Sequence, residues 1–412
     1  MSTKTQTRTR AAKRLMPYPE ERALEHTVHA MEAVPTRIHS VLLPVWCVEV
    51  EADVTEGEPY ELIDRFLERG IAEAGLGTVD ELAAFFALDP PLVGQAVRFL
   101  TAIGHVTDGG GRLLLTELGY RSVRDDVRYV VTRKDRRRLY FDAFGSRPLT
   151  RPYYDARKVA FLSGETLQEA LERRDGPRLN MLSPTRDFRR EALVELADSP
   201  ERDRFNLPGR IDNPRALESA ELVFLPAYLV RAVERGGRVR HFAYTPAGDE
   251  ADPEITAACE AAPDVVSALE AEEVAAARED FAAQAGRWLS KRNLADHRLT
   301  RTADGAWRVS LPGSSFGGDG SVPFAKLGSY VVLGTGFFQV WCREKRMRML
   351  ALVERINSYA GSRARLDPDV IRGRIDAISR QLELGTVDLD TVRRAAADAG
   401  RRELAAQLSR LL

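Results

Sequence analysis

Apolar residues recur at helical spacing through Tyr60, Ile63, Phe66, Leu67 and Ile71, with charge between them, and predict a helix from about Glu58 to Glu73 that buries one face. After Gly75-Leu76-Gly77, Thr78 stands three residues before Glu81, the capping-box spacing, and opens a short second helix carrying Leu82, Phe85 and Phe86. Asp89 then caps, and Pro90 opens, a third helix with Leu92, Val93, Ala96, Phe99, Leu100 and Ile103 inward. His105 to Thr107 and Arg112 to Leu115 read as paired strands across Asp108-Gly109-Gly110-Gly111, a turn that tolerates positive φ.

Helix, helix-turn-helix and hairpin in that order resemble the winged-helix family found in many bacterial regulators, and Leu115-Thr116-Glu117-Leu118-Gly119 is similar to the L-T-x-x-G segment that often closes its wing. The resemblance covers about sixty of 412 residues. It implies a fold module rather than a job, since winged helices serve both DNA binding and protein docking. In the DNA-binding version the third helix enters the major groove, which makes Gln95, Arg98 and Thr101 the outward reading residues and Arg112 the wing's positive charge. One arginine is a thin reading head, and Asp80 and Glu81 on the preceding helix repel phosphate. Sequence-independent contact is therefore the stronger form of the nucleic-acid expectation.

Elsewhere, Ile38, Val41, Leu42, Leu43, Val45, Trp46, Val48 and Val50 around Pro44 predict one long strand with a bulge, or two strands. Val127 to Thr132 and Arg138 to Phe144 flank Arg133-Lys134-Asp135-Arg136-Arg137 as a β-hairpin with a basic tip. This densest positive cluster, Arg133, Lys134, Arg136, Arg137 and Arg138, is either a phosphate clamp with Tyr129 and Tyr140 to stack on bases, or a solvated turn. Helices are expected over Pro19 to Met31, Thr166 to Arg173 and Phe188 to Leu196, and the run Pro200 to Pro214 reads as a linker marking a domain boundary. Leu222 to Tyr228 and Arg238 to Tyr244 are strands about a Gly236-Gly237 turn, and Pro253 to Leu289 is a long helical region. A strand pair turning at Ala303-Asp304-Gly305, a glycine-rich loop over Gly313 to Gly320 and a buried strand over Tyr330 to Trp341 follow. Helices then run over Arg343 to Tyr359, Pro368 to Leu384, Leu389 to Ala399 and Arg402 to Leu412. The class is α+β, divided as a disordered basic tail (1–17), a strand plus winged-helix unit with its basic hairpin (18–150), a mixed domain (151–340) and a helical C-terminal segment (341–412).

Composition adds bounds. With 44% hydrophobic and 29% charged residues the chain is an ordinary folded protein, and arginine with alanine far outweighs lysine, as in high-GC bacteria. Net charge is −1, so attraction to a polyanion has to be local, as in the acid-free tail with Lys4, Arg8, Arg10, Lys13 and Arg14, which reads either as a phosphate contact or as a solvated end. Cys47, Cys259 and Cys342 are too scattered for a zinc site and read as reduced thiols of a cytoplasmic protein. His26 and His29 share a helix but have no second ligand pair near them, so neither a metal nor a cofactor is expected. No run nears the roughly 20 apolar residues of a membrane span. None of the seven lysines follows a carboxylate by two residues, no histidine opens an H-x-K, and there is no Gly-Lys pair for a phosphate-binding loop. The expectation is a non-catalytic component of a larger bacterial assembly for DNA maintenance, regulation or anti-phage defence, with DNA and proteins as partners. The alternative is an interaction scaffold whose winged helix docks a protein.

Overall fold

The structure, a computed structural model, describes residues 15–16, 18–172, 179–276, 280–303, 305–317, 322–361 and 366–411. The expected basic tail lies outside the described residues except for Leu15 and Met16, which pack into the core. Arg173, Asp304 and 318–321 also lie outside.

Helix α1 (Glu20–His29) leads into β1 (Val34–Glu58), a single strand of 25 residues. A module of α2 (Leu62–Ala74), α3 (Val79–Phe86), α4 (Pro90–Ala102), β2 (Val106–Asp108), β3 (Leu113–Leu115) and α5 (Glu117–Asp125) comes next. β4 (Arg128–Asp142) then runs back along β1. α2 begins at Leu62 rather than Glu58 because Thr55 to Glu58 are still strand, paired with Val131 to Arg128. The expected basic hairpin is absent. Residues 128–142 are one strand, and what reverses the chain between β1 and β4 is the whole module.

Next come α6 (Gly164–Glu172), β5 (Asn180–Met181), α7 (Glu191–Asp198), β6 (Ile211–Ala216), β7 (Glu221–Val233), β8 (Val239–Tyr244) and β9 (Ala251–Asp252). They complete a seven-stranded sheet in the order β4-β1-β7-β8-β9, with β5 and β6 also on β1. Pro44 leaves β1 unbroken because it falls in the gap on one flank where β5 stops opposite Leu42 and β4 starts opposite Val45, so no neighbour there needs its missing N–H. The register shifts lie elsewhere, at Pro35/Arg37, Glu51/Asp53 and Val54/Thr55. The run 200–214 is not a linker, since β6 pairs with Val50 to Val54 of β1. A division at 150/151 likewise cuts through one core, in which Val41, Val45, Phe144 and Leu149 pack with Leu225 and Leu229.

Three helices, α8 (Pro253–Glu260), α9 (Pro263–Ala276) and α10 (Phe281–Ser290), occupy the expected long helical region, with Pro263 stopping α8 from continuing. β10 (Leu299–Arg301), β11 (Trp307–Ser310), β12 (Tyr330–Leu333) and β13 (Gly336–Trp341) form a second sheet. Tyr330 to Trp341 is thus a hairpin and not one strand, turning at Gly334 with φ +62°. α11 (Lys345–Gly361), α12 (Pro368–Gln381), α13 (Leu389–Asp398) and α14 (Arg402–Ser409) cover it. The two sheets meet through Tyr330, Phe337, Ile38, Val230 and Phe242, and the Ile38 N–H donates to the Thr335 carbonyl at 3.0 Å. Among the described residues no helix is long and apolar enough to cross a membrane.

Candidate functional site

The module between β1 and β4 is built by short-range chemistry. Thr78 Oγ1 accepts the Glu81 N–H at 3.1 Å, and Glu81 Oε2 accepts the N–H groups of Thr78 and Gly77 at 3.2 and 2.7 Å, so the expected capping box starts α3. Asp89 makes no side-chain cap, which leaves Pro90 to set the start of α4. Leu67, Leu82, Val93, Val97, Leu100 and Leu115 close the core. A Cβ on Gly119 would stand 2.4 Å from the His105 carbonyl oxygen. Only glycine lets α5 approach β2 this closely.

Under that core lies a buried polar pair. Glu68 and His105 are both 0% exposed; Glu68 Oε1 is 2.5 Å from His105 Nδ1, and its other oxygen accepts the Tyr60 hydroxyl at 2.5 Å. His105 Nε2 meets the Tyr129 carbonyl on β4. Next to it, Arg128 bridges Glu58 at 2.8 Å and Asp64 at 3.1 Å. A second tether joins α5 to β6, where Asp212 accepts from Thr55 at 2.6 Å and Arg121 at 2.8 Å, with Arg202 at 3.4 Å. The module is therefore held to the sheet at two places by charged hydrogen bonds.

On the outward side of α4, Gln95, Arg98 and Thr101 are exposed as expected, with the Thr101 hydroxyl turned back to the Val97 carbonyl at 2.8 Å. Leu92 and Phe99, expected inside, are each 42% exposed, because Val93, Val97 and Leu100 already fill the core face of the helix. Leu92, Gln95 and Phe99, at spacings of three and four, line the opposite face. Phe66, also expected inside, is 45% exposed, Phe85 on α3 is 62% exposed, and Leu62 on α2 is 68% exposed. The rings of Phe66, Phe86 and Phe85 form a chain with centroids 6.1 and 4.9 Å apart. Arg112 points away from any wing tip, donating to the Gly75 carbonyl at 3.1 Å and standing 4.0 Å from Glu81.

The basic cluster has a different setting from the expected one. Glu49, Glu51 and Asp53 of β1 stand directly opposite Arg138, Arg136 and Lys134 of β4. Lys134 Nζ lies 2.8 Å from Glu51, and Arg136 Nε 3.8 Å from it. The Lys134 ammonium holds the Glu51 carboxyl below its usual range. Arg137 pairs with Asp135 and donates to the Asn206 carbonyl at 2.6 Å, whereas Arg133 lies opposite Val54 and is exposed. Tyr140 is stacked on Phe161 at 4.1 Å, and Tyr129 is covered by Arg121 at 4.5 Å, so neither ring is open to a base. The sequence signal for this ladder is Glu49, Glu51 and Asp53, whose spacing of two mirrors Lys134, Arg136 and Arg138.

The other candidates are also occupied. His26 Nδ1 is 3.1 Å from the Tyr244 hydroxyl, and no group of three or more metal-ligating side chains occurs among the described residues. Gly313 gives its N–H to the Glu344 carboxylate at 2.8 Å, which places a negative charge where an anion would sit. Comparison of the chain with protein-family models, curated proteins and solved structures returns no match.

Proposed function

We propose that the winged-helix-like module docks a partner protein and that the chain is a non-catalytic interaction component of a multi-protein assembly. The observation that carries this reading is the exposed apolar face on the helix that would otherwise read DNA, Leu92 and Phe99 flanking Gln95, with Leu62, Phe66 and Phe85 exposed on α2 and α3. With 42–68% of each side chain still exposed, burial in a partner adds roughly half of the about 1.5–3 kcal/mol of full burial per residue. The ground around them is acidic, since residues 58–126 hold twelve carboxylates and six arginines. The fitting occupant is accordingly an apolar protein segment edged with lysine or arginine. A DNA backbone meets the opposite conditions, repulsion from the module and a basic strand on which Lys134, Arg136 and Arg138 face carboxylates.

A photo-crosslinking residue in place of Gln95 tests this. In cells it should capture a protein through a segment with apolar residues flanked by basic ones, and Leu92→Glu with Phe99→Glu should abolish capture. Duplex DNA binding by the purified chain at low salt that falls when Arg98, Arg133 and Arg138 are neutralised would instead restore the nucleic-acid reading.

A further inference from the structure

The C-terminal half of the chain contains a cleft of about 700 Å³ between α1, the segment before β12, α11, α12 and the start of α14. Arg355, Arg374 and Arg401 line it, against Glu25 and Glu354. The Arg355 guanidinium donates to Gln381 Oε1 at 2.6 Å and to the carbonyls of Ala325 and Leu327 at 3.0 and 2.6 Å. All three acceptors are neutral, so its charge is solvated by dipoles and not cancelled by a contact. Burial presses its pKa below the ordinary arginine value, with Glu25 opposing. Arg374 lies over the Tyr359 ring at 4.2 Å, and Arg401 is paired with Glu354 at 2.6 Å. The His29 imidazole is pushed down to about 4 by burial, then by Arg380 and Arg355.

We propose that this cleft binds a small phosphate-bearing molecule of about nucleoside-diphosphate size. Its volume falls in the range of roughly 300–1,000 Å³ typical of small-molecule sites. Arg355, committed to its three neutral acceptors, contributes charge rather than an open fork, so contact with phosphate oxygens falls to Arg374 and to Arg401 in exchange for Glu354, and a group with more than one negative charge competes better for them than a single carboxylate does. Phe324, half-buried on the wall, gives the rest of the ligand an apolar surface. The site is separate from the docking face of the module and does not depend on that proposal.

Calorimetric titration of the full chain at low ionic strength with pyrophosphate, ADP and adenosine tests the assignment. Pyrophosphate and ADP should bind saturably and adenosine should not. Arg374→Gln and Arg401→Gln, in folded protein as checked by circular dichroism, should each weaken binding about tenfold, the scale of one charged hydrogen bond. Glu354→Gln, which releases Arg401 from its partner, should tighten it. Arg355 is left intact because it holds two backbone carbonyls. Tighter binding of ADP than of pyrophosphate, lost in Phe324→Ala, would support a stacked base; equal binding would support recognition of the phosphates alone. No saturable binding by either anion, or binding unchanged by both arginine substitutions, overturns the proposal.

Discussion

Replacing Glu68 with glutamine should loosen the module at 62–125 and remove its dependence on pH near neutrality. Both ring nitrogens of His105 face acceptors, the Glu68 carboxylate at Nδ1 and the Tyr129 carbonyl at Nε2. An imidazole that donates at both nitrogens carries two protons, so the folded form is the imidazolium. Burial works against that charge, but the hydrogen bonds to Glu68 and to the Tyr129 carbonyl outweigh it and raise the His105 pKa above its ordinary 6.5. A raised folded pKa adds stability that is fully present below the unfolded value and is lost as pH rises through the folded one. The steepest possible loss, for one proton, is about 1.4 kcal/mol per pH unit.

Both side chains are 0% exposed, so solvent does not screen the pair. Breaking a buried pair by removing one partner costs about 3–5 kcal/mol; glutamine keeps the shape and one acceptor, which favours the lower end, about 3 kcal/mol. Hydrogen exchange reads this locally. Opening free energies of amides in α2 and α4, corrected for intrinsic exchange, should fall in the parent as pH rises from the ordinary imidazole value of about 6.5 through the raised folded one. In Glu68→Gln they should be lower at acid pH and flat. A parent profile flat over that range, or a variant within about 1 kcal/mol of it at acid pH, would refute the imidazolium reasoning.

Other perturbations probe the remaining joints. Arg136→Glu places like charges opposite Glu51 and should lower the melting temperature of the chain slightly, the loss being recovered by Glu51→Arg in a double-mutant cycle. Asp212→Asn weakens the tether from Arg121, Thr55 and Arg202, and should cost about 1–3 kcal/mol of protection in α5. Burial pushes the Asp212 carboxyl up while the hydrogen bonds from Arg121 and Thr55 bring it below its usual range, so this contribution is present above the unfolded pKa and is lost on acidification through the folded one.

The parts of the fold legible in the sequence are those fixed within a few residues. The Thr78/Glu81 box, the glycine-rich turn before β3 and the Gly236-Gly237 hairpin each depend on neighbours in the chain, and each forms where expected. What was hidden depends on distant pairing. Arg133 to Arg138 resemble a turn only while β1 is ignored; with Glu49 to Glu58 alongside, the same residues are one edge of a ladder. The run 200–214 resembles a linker until β6 finds Val50 to Val54. Burial on α4 departs from the helical spacing for a related reason. Helical spacing identifies apolar positions but not how many neighbours are present to cover them, and Leu92 and Phe99 lie on the side away from that core, where among the described residues Arg128 stands 5.4 Å over the Phe99 ring and leaves it 42% exposed.

That exposed side also explains why a net charge of −1 is a poor guide to partners. Charge is sorted along the chain: carboxylates of β1 meet the arginines and lysine of β4 in register, while the module between them keeps a twofold excess of acid over base. The ladder cancels its own field at short range, whereas the excess on the module extends to about 8 Å at physiological salt, enough to steer an approaching basic segment onto the apolar face. In the proposed complex, partner association should therefore slow as salt rises while dissociation changes little, because the apolar contacts assigned to hold it are not screened. A dissociation rate that climbs with salt in parallel with the loss of association would place the binding energy in the charges instead, and the aromatic face would lose its role.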